Sequence, residues 1–157
     1  MSGLIIRGQN EGERRWFAGG GLHLWKLTAE ETGGDLFLFE DFMVQGKTTP
    51  LHRHPEIAET IYMLEGTLLV HVDGEEREVG PGGVALFPRG VAHALLVTSP
   101  TARVLCLQTP GSAQSFYLTA SDPTTSDSGP VDFQRLRQAA EGDPGIEILG
   151  PPPFRRR

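Results

Sequence analysis

Residues 46–66 read GKTTPLHRHPEIAETIYMLEG. His52 and His54 are two apart, so on a β-strand both imidazoles leave the same face, where a single metal ion can bridge them. Pro55 has no N–H to give to a strand ladder and favours ending the strand there. The chain can then turn and present Glu59 at the head of the next strand, TIYMLEG (60–66). A third imidazole, His93, follows the turn Pro88-Arg89-Gly90 and opens another strand. Neutral imidazoles with one carboxylate suit Fe, Mn, Co, Ni, Cu or Zn, and suit Ca²⁺ or Mg²⁺ poorly. On local chemistry alone, an H-x-H pair fits a chance arrangement on a polar edge strand equally well.

The flanking sequence is cut into short pieces. DLFLFEDFMV (35–44), TLLVHV (67–72), EREV (76–79), VALFP (84–88), HALLVT (93–98), RVLCLQT (103–109) and SFYL (115–118) are β-rich and separated by turn signals. Twenty Gly and twelve Pro in 157 residues fit such a chain, which predicts an all-β fold with a closed or nearly closed antiparallel barrel over 35–118. Asp73-Gly74 supplies the turn of a tight hairpin, TLLVHV-DG-EEREV, on which His71 faces outward. Glu40 and Asp41 are adjacent on one strand, so at most one points into the barrel. Glu56 is a further carboxylate nearby, and Cys106 reads as a small buried hydrophobe. Residues 1–34 form a strand extension around LHLWKL (22–27), where His23 reads as a surface or edge residue. Residues 119–157 comprise a polar connector, SDPTTSDSGP, then a short helix within VDFQRLRQAAEG and a tail. Asp132 can cap that helix, with Phe133, Leu136 and Ala140 on one face, packed outside the barrel or over its mouth. The length fits one domain, 1–157.

Spacing narrows the choice left open at the H-x-H pair. Gly46-x5-His52-x-His54-x4-Glu59-x6-Gly66 is followed, after fifteen residues, by Gly82-x5-Pro88-x-Gly90-x2-His93. These resemble the two signature motifs of the cupin superfamily at nine positions, with both internal spacings intact. The resemblance covers roughly residues 35–118 and implies a single cupin barrel, a double-stranded β-helix or jelly roll. Carried over position by position, it makes His52, His54, Glu59 and His93 the ligands of one divalent transition metal ion. It departs at Val97, where the family's second motif usually ends in Asn; that Asn is no ligand in the family, so the departure bears on packing.

The bulk properties limit the partners. A net charge of −6, with basic residues gathered only at Arg155-Arg156-Arg157, argues against nucleic acid. That arginine run reads as a solvated end. No apolar run approaches the roughly 18 residues of a membrane span, and a lone cysteine is ordinary in a reducing compartment, so the expected location is the cytoplasm. A barrel lined by Leu, Phe, Met and Val implies an apolar cavity, which favours a flat organic substrate over a sugar phosphate. Within the family the chain is most similar to small bacterial proteins described as quercetin-dioxygenase-like. That likeness implies an oxygenase acting on an enol or phenol oxygen, with Glu59 as catalytic base. The same site without redox chemistry would serve an isomerase or polyketide-cyclase-like enzyme, or a non-enzymatic binding protein. The family resemblance also implies a homodimer.

Overall fold

The structure, a computed structural model, describes residues 3–124 and 130–155. Its twelve described strands form two antiparallel sheets. The first is built from β1 (Glu13–Phe17), β2 (Gly21–Leu27), β3 (Phe37–Val44), β5 (Ala58–Glu65), β8 (Val84–Phe87), β10 (Thr101–Thr109) and β11 (Ser121–Pro123). Their order across the sheet is β11-β1-β2-β3-β10-β5-β8. The second holds β4 (Leu51–Arg53), β6 (Leu68–Val72), β7 (Glu75–Val79), β9 (His93–Val97) and β12 (Glu147–Gly150), in the order β12-β4-β9-β6-β7. Both sheets therefore reach beyond 35–118, taking strands from the N-terminal stretch and from the last residues.

Alternation sets the inside of each strand. Along β10, Ala102, Val104, Cys106 and Gln108 are buried while the residues between them are half-exposed or exposed, the period-2 pattern of a strand with one face on the core. In β3, Phe37, Phe39, Asp41 and Met43 take the inward positions of the same register, while Glu40 is buried on the other face. Each fully buried Phe or Met here, such as Phe37 and Met63, contributes roughly 1.5–3 kcal/mol by leaving water. The hairpin turn is as expected: Asp73 and Gly74 both have left-handed φ, 51° and 77°, which a two-residue turn between twisted strands requires.

Two expectations are corrected. SFYL is not a strand; it lies in helix α1 (Gln114–Thr119), entered from a 3₁₀ turn at Gly111–Ala113. Phe116 and Tyr117 are both buried, which adjacent strand residues could not be against a single face. A four-residue apolar run carries no period long enough to separate the two. His23 is not on the surface either. It is fully buried, because β2 is an interior strand, flanked by β1 and β3, and its inner face looks into the barrel. Helix α2 (Phe133–Ala140) begins at Asp132, whose carboxylate accepts from the Arg135 N–H as a cap. Its Leu136 is buried and borders the cavity. Residues 125–129 of the connector and Arg156-Arg157 lie outside the described residues; Arg155 is exposed.

Candidate metal centre

His52 lies on β4, His54 directly after it, His93 opens β9, and Glu59 is the second residue of β5. β4 and β9 pair with His52 opposite His93, so the two sides of the sequence signature meet at one point. All four side chains are buried. One ligand atom from each histidine lies within 4.8 Å of the others. Glu59 closes the group, with Oε1 3.3 Å from His93 Nε2 and Oε2 3.5 Å from His54 Nε2.

The backbone decides which nitrogen faces the centre. His52 Nδ1 is 2.8 Å from the Pro50 carbonyl, His54 Nδ1 2.9 Å from that of Gly145, and His93 Nδ1 3.0 Å from that of Val91. A carbonyl only accepts, so each Nδ1 carries the hydrogen and each Nε2 is left to turn its lone pair inward. His54 Nε2 has no hydrogen-bond partner at all. The Phe87 ring stacks on His93 at 3.9 Å between centroids and 4° between planes, which fixes the ring's orientation. Three converging imidazole lone pairs beside a carboxylate form the donor set that borderline divalent ions take. These residues fit a metal ion.

The electrostatics agree at His52 and Glu59 and run the other way at His54. Burial, then the like charges of His93 and His54, drives His52 down to about 3, so it is neutral and free to ligate. Burial alone would raise Glu59, but the adjacent His54 and His93 outweigh it and hold the carboxyl well below its ordinary range. Burial would lower His54, yet Glu59 beside it keeps it above its ordinary value.

Three residues around this centre escaped the sequence reading. The Gln108 amide donates to Glu59 Oε2 at 2.6 Å and to the Tyr117 hydroxyl at 2.6 Å. Burial, then the Glu59 charge, raises Tyr117 well above its ordinary range, so its hydroxyl stays protonated and remains a donor. The Gly145 carbonyl arrives from the C-terminal segment. The signal for Gln108 was present: it is the one polar residue on the inward face of RVLCLQT.

Other candidates sort as follows. Asp41 points inward and Glu40 outward to Arg103, at 3.1 Å. Glu56 is exposed. Cys106 is buried against Gln108. His71 is half-buried, with its ring edge-on to Phe154. Val97 is buried in the cavity wall. The cavity itself measures about 80 Å³ and is walled mainly by apolar side chains between the two sheets. At roughly 10–15 Å³ per water centre it admits several waters, or a small organic molecule in their place.

Residues 38–108 match the family described as Cupin domain. Over 127 residues the chain is 28% identical to quercetin 2,3-dioxygenase of Bacillus subtilis (strain 168), covering 81% of this chain and 37% of that protein. The chain thus spans little more than a third of that relative's length. Among solved structures it is similar to the polyketide cyclase RemF from Streptomyces resistomycificus, with 26% identity and a TM-score of 0.58 over 68% of this chain and 80% of that one. A predicted oxalate decarboxylase from Thermotoga maritima superposes with a TM-score of 0.60 at 19% identity, over 68% of this chain and 99% of the other. Among the described residues, no helix is long and apolar enough to cross a membrane.

Proposed function

We propose that the chain, whose residues 38–108 match the cupin domain, is a metal-dependent cupin oxygenase acting on an enol- or phenol-bearing organic substrate. His52, His54, His93 and Glu59 would hold one divalent transition ion. When bound, the ion would acidify a substrate hydroxyl so that a weak base suffices and, if redox-active, would supply reactivity toward dioxygen. The chain's own residues do the rest. Glu59, kept ionised by its histidine neighbours, accepts the substrate's hydroxyl proton. Gln108 holds the carboxylate in place through Oε2, and the protonated Tyr117 hydroxyl offers a hydrogen bond to a substrate oxygen. Leu95, Val97 and Val104 in the cavity wall give the body of an organic substrate an apolar surface.

The observation that carries this reading is the set of three Nδ1–carbonyl bonds, which aim three lone pairs at one point next to Glu59. The likeness to quercetin 2,3-dioxygenase supports the oxygenase class. The likeness to a polyketide cyclase favours a second reading, in which the same ion polarises a carbonyl without redox chemistry. An oxygen electrode separates them. Metal-loaded protein should consume oxygen with a flavonol, and Glu59→Gln should slow that by about 10²- to 10⁴-fold per bound ion. A flat trace across flavonols with Fe, Mn, Co, Ni and Cu each loaded would move the reading to the Lewis-acid enzyme or, without any turnover, to a binding protein. In the same reading the chain works in the cytoplasm as a homodimer. Exposed Tyr62, Val84 and Leu86, where β5 meets the edge strand β8, support a self-association face. Sedimentation of the wild type against Leu86→Lys tests it.

A further inference from the structure

A second polar cluster lies in the same cavity. Asp41 on β3, His23 opposite it on β2 and Lys47 in the following loop all border the void. Lys47 Nζ donates to Asp41 Oδ2 at 3.0 Å, and His23 Nε2 lies 3.4 Å from that same oxygen. The three are buried, yet they are not satisfied. Among the described residues, and apart from that long approach to Asp41, neither nitrogen of His23 has a hydrogen-bond partner, and neither has Asp41 Oδ1. Leaving such atoms bare costs about 1–3 kcal/mol each, so the cluster is built for something. Its setting is built as well. His23 is stacked between Phe17 and Phe39 at 4.6 and 4.3 Å between centroids, and any side chain at Gly21 would collide with Asp41 Oδ1.

The sheet register places this cluster relative to the metal centre. Glu59 pairs with Gln108, and Asp41 pairs with Val104, four residues back along β10. Four residues of strand span about 13 Å. The row between is Phe39, Cys106 and Ile61, which is apolar. A ligand that reaches both ends is therefore elongated, apolar in the middle and polar at each tip.

We propose that His23, Asp41 and Lys47 form a distal subsite that receives the far hydroxyl of a two-ended aromatic ligand, whose near oxygen lies at the His52–His54–His93 centre. This rests on the reading of that centre as the ligand's reactive end. A hydroxyl suits the subsite because it both donates and accepts. The Asp41 carboxylate takes a proton donor and repels a second anion, while neutral His23 offers one N–H and one lone pair. The aromatic rings of Phe17, Phe39 and Tyr117 around His23 favour a flat body.

Titration calorimetry of the full chain with a biphenol bearing a hydroxyl at each end, against the phenylphenol lacking the distal one, tests the subsite. The diol should bind about 10-fold tighter or more. His23→Phe keeps the aromatic stack and removes both nitrogens, and it should bring the two affinities together without weakening phenylphenol. Equal affinities in the wild type, or no binding of either compound, would overturn the subsite. If His23→Phe does not fold, the two ligands on wild-type protein still decide. Repeating the titration after EDTA treatment separates this inference from the metal reading. A diol preference that survives while overall affinity falls supports both. One that survives with no change in affinity supports the subsite and counts against the metal centre as the ligand's other anchor.

Discussion

His52, His54 and His93 each give Nδ1 to a main-chain carbonyl, whereas among the described residues His23, no less buried, has no main-chain partner, and its Nε2 lies 3.4 Å from Asp41 Oδ2. Both clusters place imidazole beside carboxylate in one cavity. At the candidate metal centre the outer nitrogens are tied down and the inner ones converge, an arrangement that suits a single positive ion. At the distal cluster the charge is already balanced, Asp41 against Lys47, which suits a neutral hydrogen-bonding group. The positions of a histidine's bonds, more than its burial, thus indicate what kind of ligand it awaits.

The comparison breaks most easily at Asp41. Burial opposes its ionisation, but Lys47 and His23 hold it down to about 2. Asp41→Ala leaves the Lys47 ammonium buried without its partner, which costs about 3–5 kcal/mol. Urea unfolding should show that loss with or without metal. A change below about 1 kcal/mol would mean that Lys47 reaches water and the cluster is no closed pair.

His93→Ala probes the other cluster and should act on metal before fold. If four ligands share the roughly 10–16 kcal/mol of a protein zinc site, one is worth about 2.5–4 kcal/mol, or 10²- to 10³-fold in affinity. The apolar core, in which Phe37 and Met63 are fully buried, should keep the metal-free barrel folded. Elemental analysis finding equal metal in wild type and variant would remove His93 from the ligand set.

The two clusters were not equally legible in the sequence. The metal centre is written in short spacings: H-x-H, then a carboxylate four residues on, with glycines and a proline fixing the turns between. Local chemistry brings those residues most of the way together, and one strand pairing, β4 with β9, completes the set. The distal cluster depends on β2 being an interior strand, which LHLWKL alone does not reveal. With β2 taken as an extension, His23 had no inside to face. Gln108 is readable as a lone polar residue on the buried side of an apolar strand, whereas for Glu40 and Asp41 alternation shows that at most one faces inward and leaves open which. SFYL was too short to show a helical period, and the Gly145 carbonyl reaches His54 from 91 positions away, a contact that no local pattern encodes.

Acid should expose both clusters, in a smaller effect. Burial lowers His52 to about 3 and lowers His23 as well, while histidines of the unfolded chain take up protons near 6.5. Below that pH the unfolded state binds more protons, so stability of the metal-free protein falls as pH drops from about 6.5 towards about 3. His54, raised by Glu59, works against this by adding stability below about 6.5. Asp41 adds a further loss as pH falls from about 4 to about 2. The net decline over the histidine window is read by urea unfolding across that range. His23→Phe should make it shallower, leaving the part that belongs to His52. A slope unchanged by that substitution would show that His23 is not buried in its neutral form.

The smallest effect is the control for the largest. Glu40 is next to Asp41 on β3 but sends its side chain to the other face, where Oε1 lies 3.1 Å from Arg103 Nε. Arg103 has a second carboxylate, Glu65, at 3.4 Å, and its guanidinium lies 5.8 Å from the Phe42 ring centre. Its side chain keeps 22% of its surface in water, so losing Glu40 leaves no bare charge: water and Glu65 remain. The Glu40 carboxylate is itself buried, but its partner keeps contact with water, and a pair with one end in water is worth about 1 kcal/mol. Glu40→Gln, whose amide oxygen can still accept from Arg103, should cost about that, with metal content and ligand affinity unchanged. Adjacent carboxylates on one strand would then differ about threefold or more in their worth to the fold, the difference set by which side of the sheet each one faces. Should Glu40→Gln destabilise as much as Asp41→Ala, the large effect at Asp41 would reflect damage to β3 in general, and the inner cluster would lose its claim to be special.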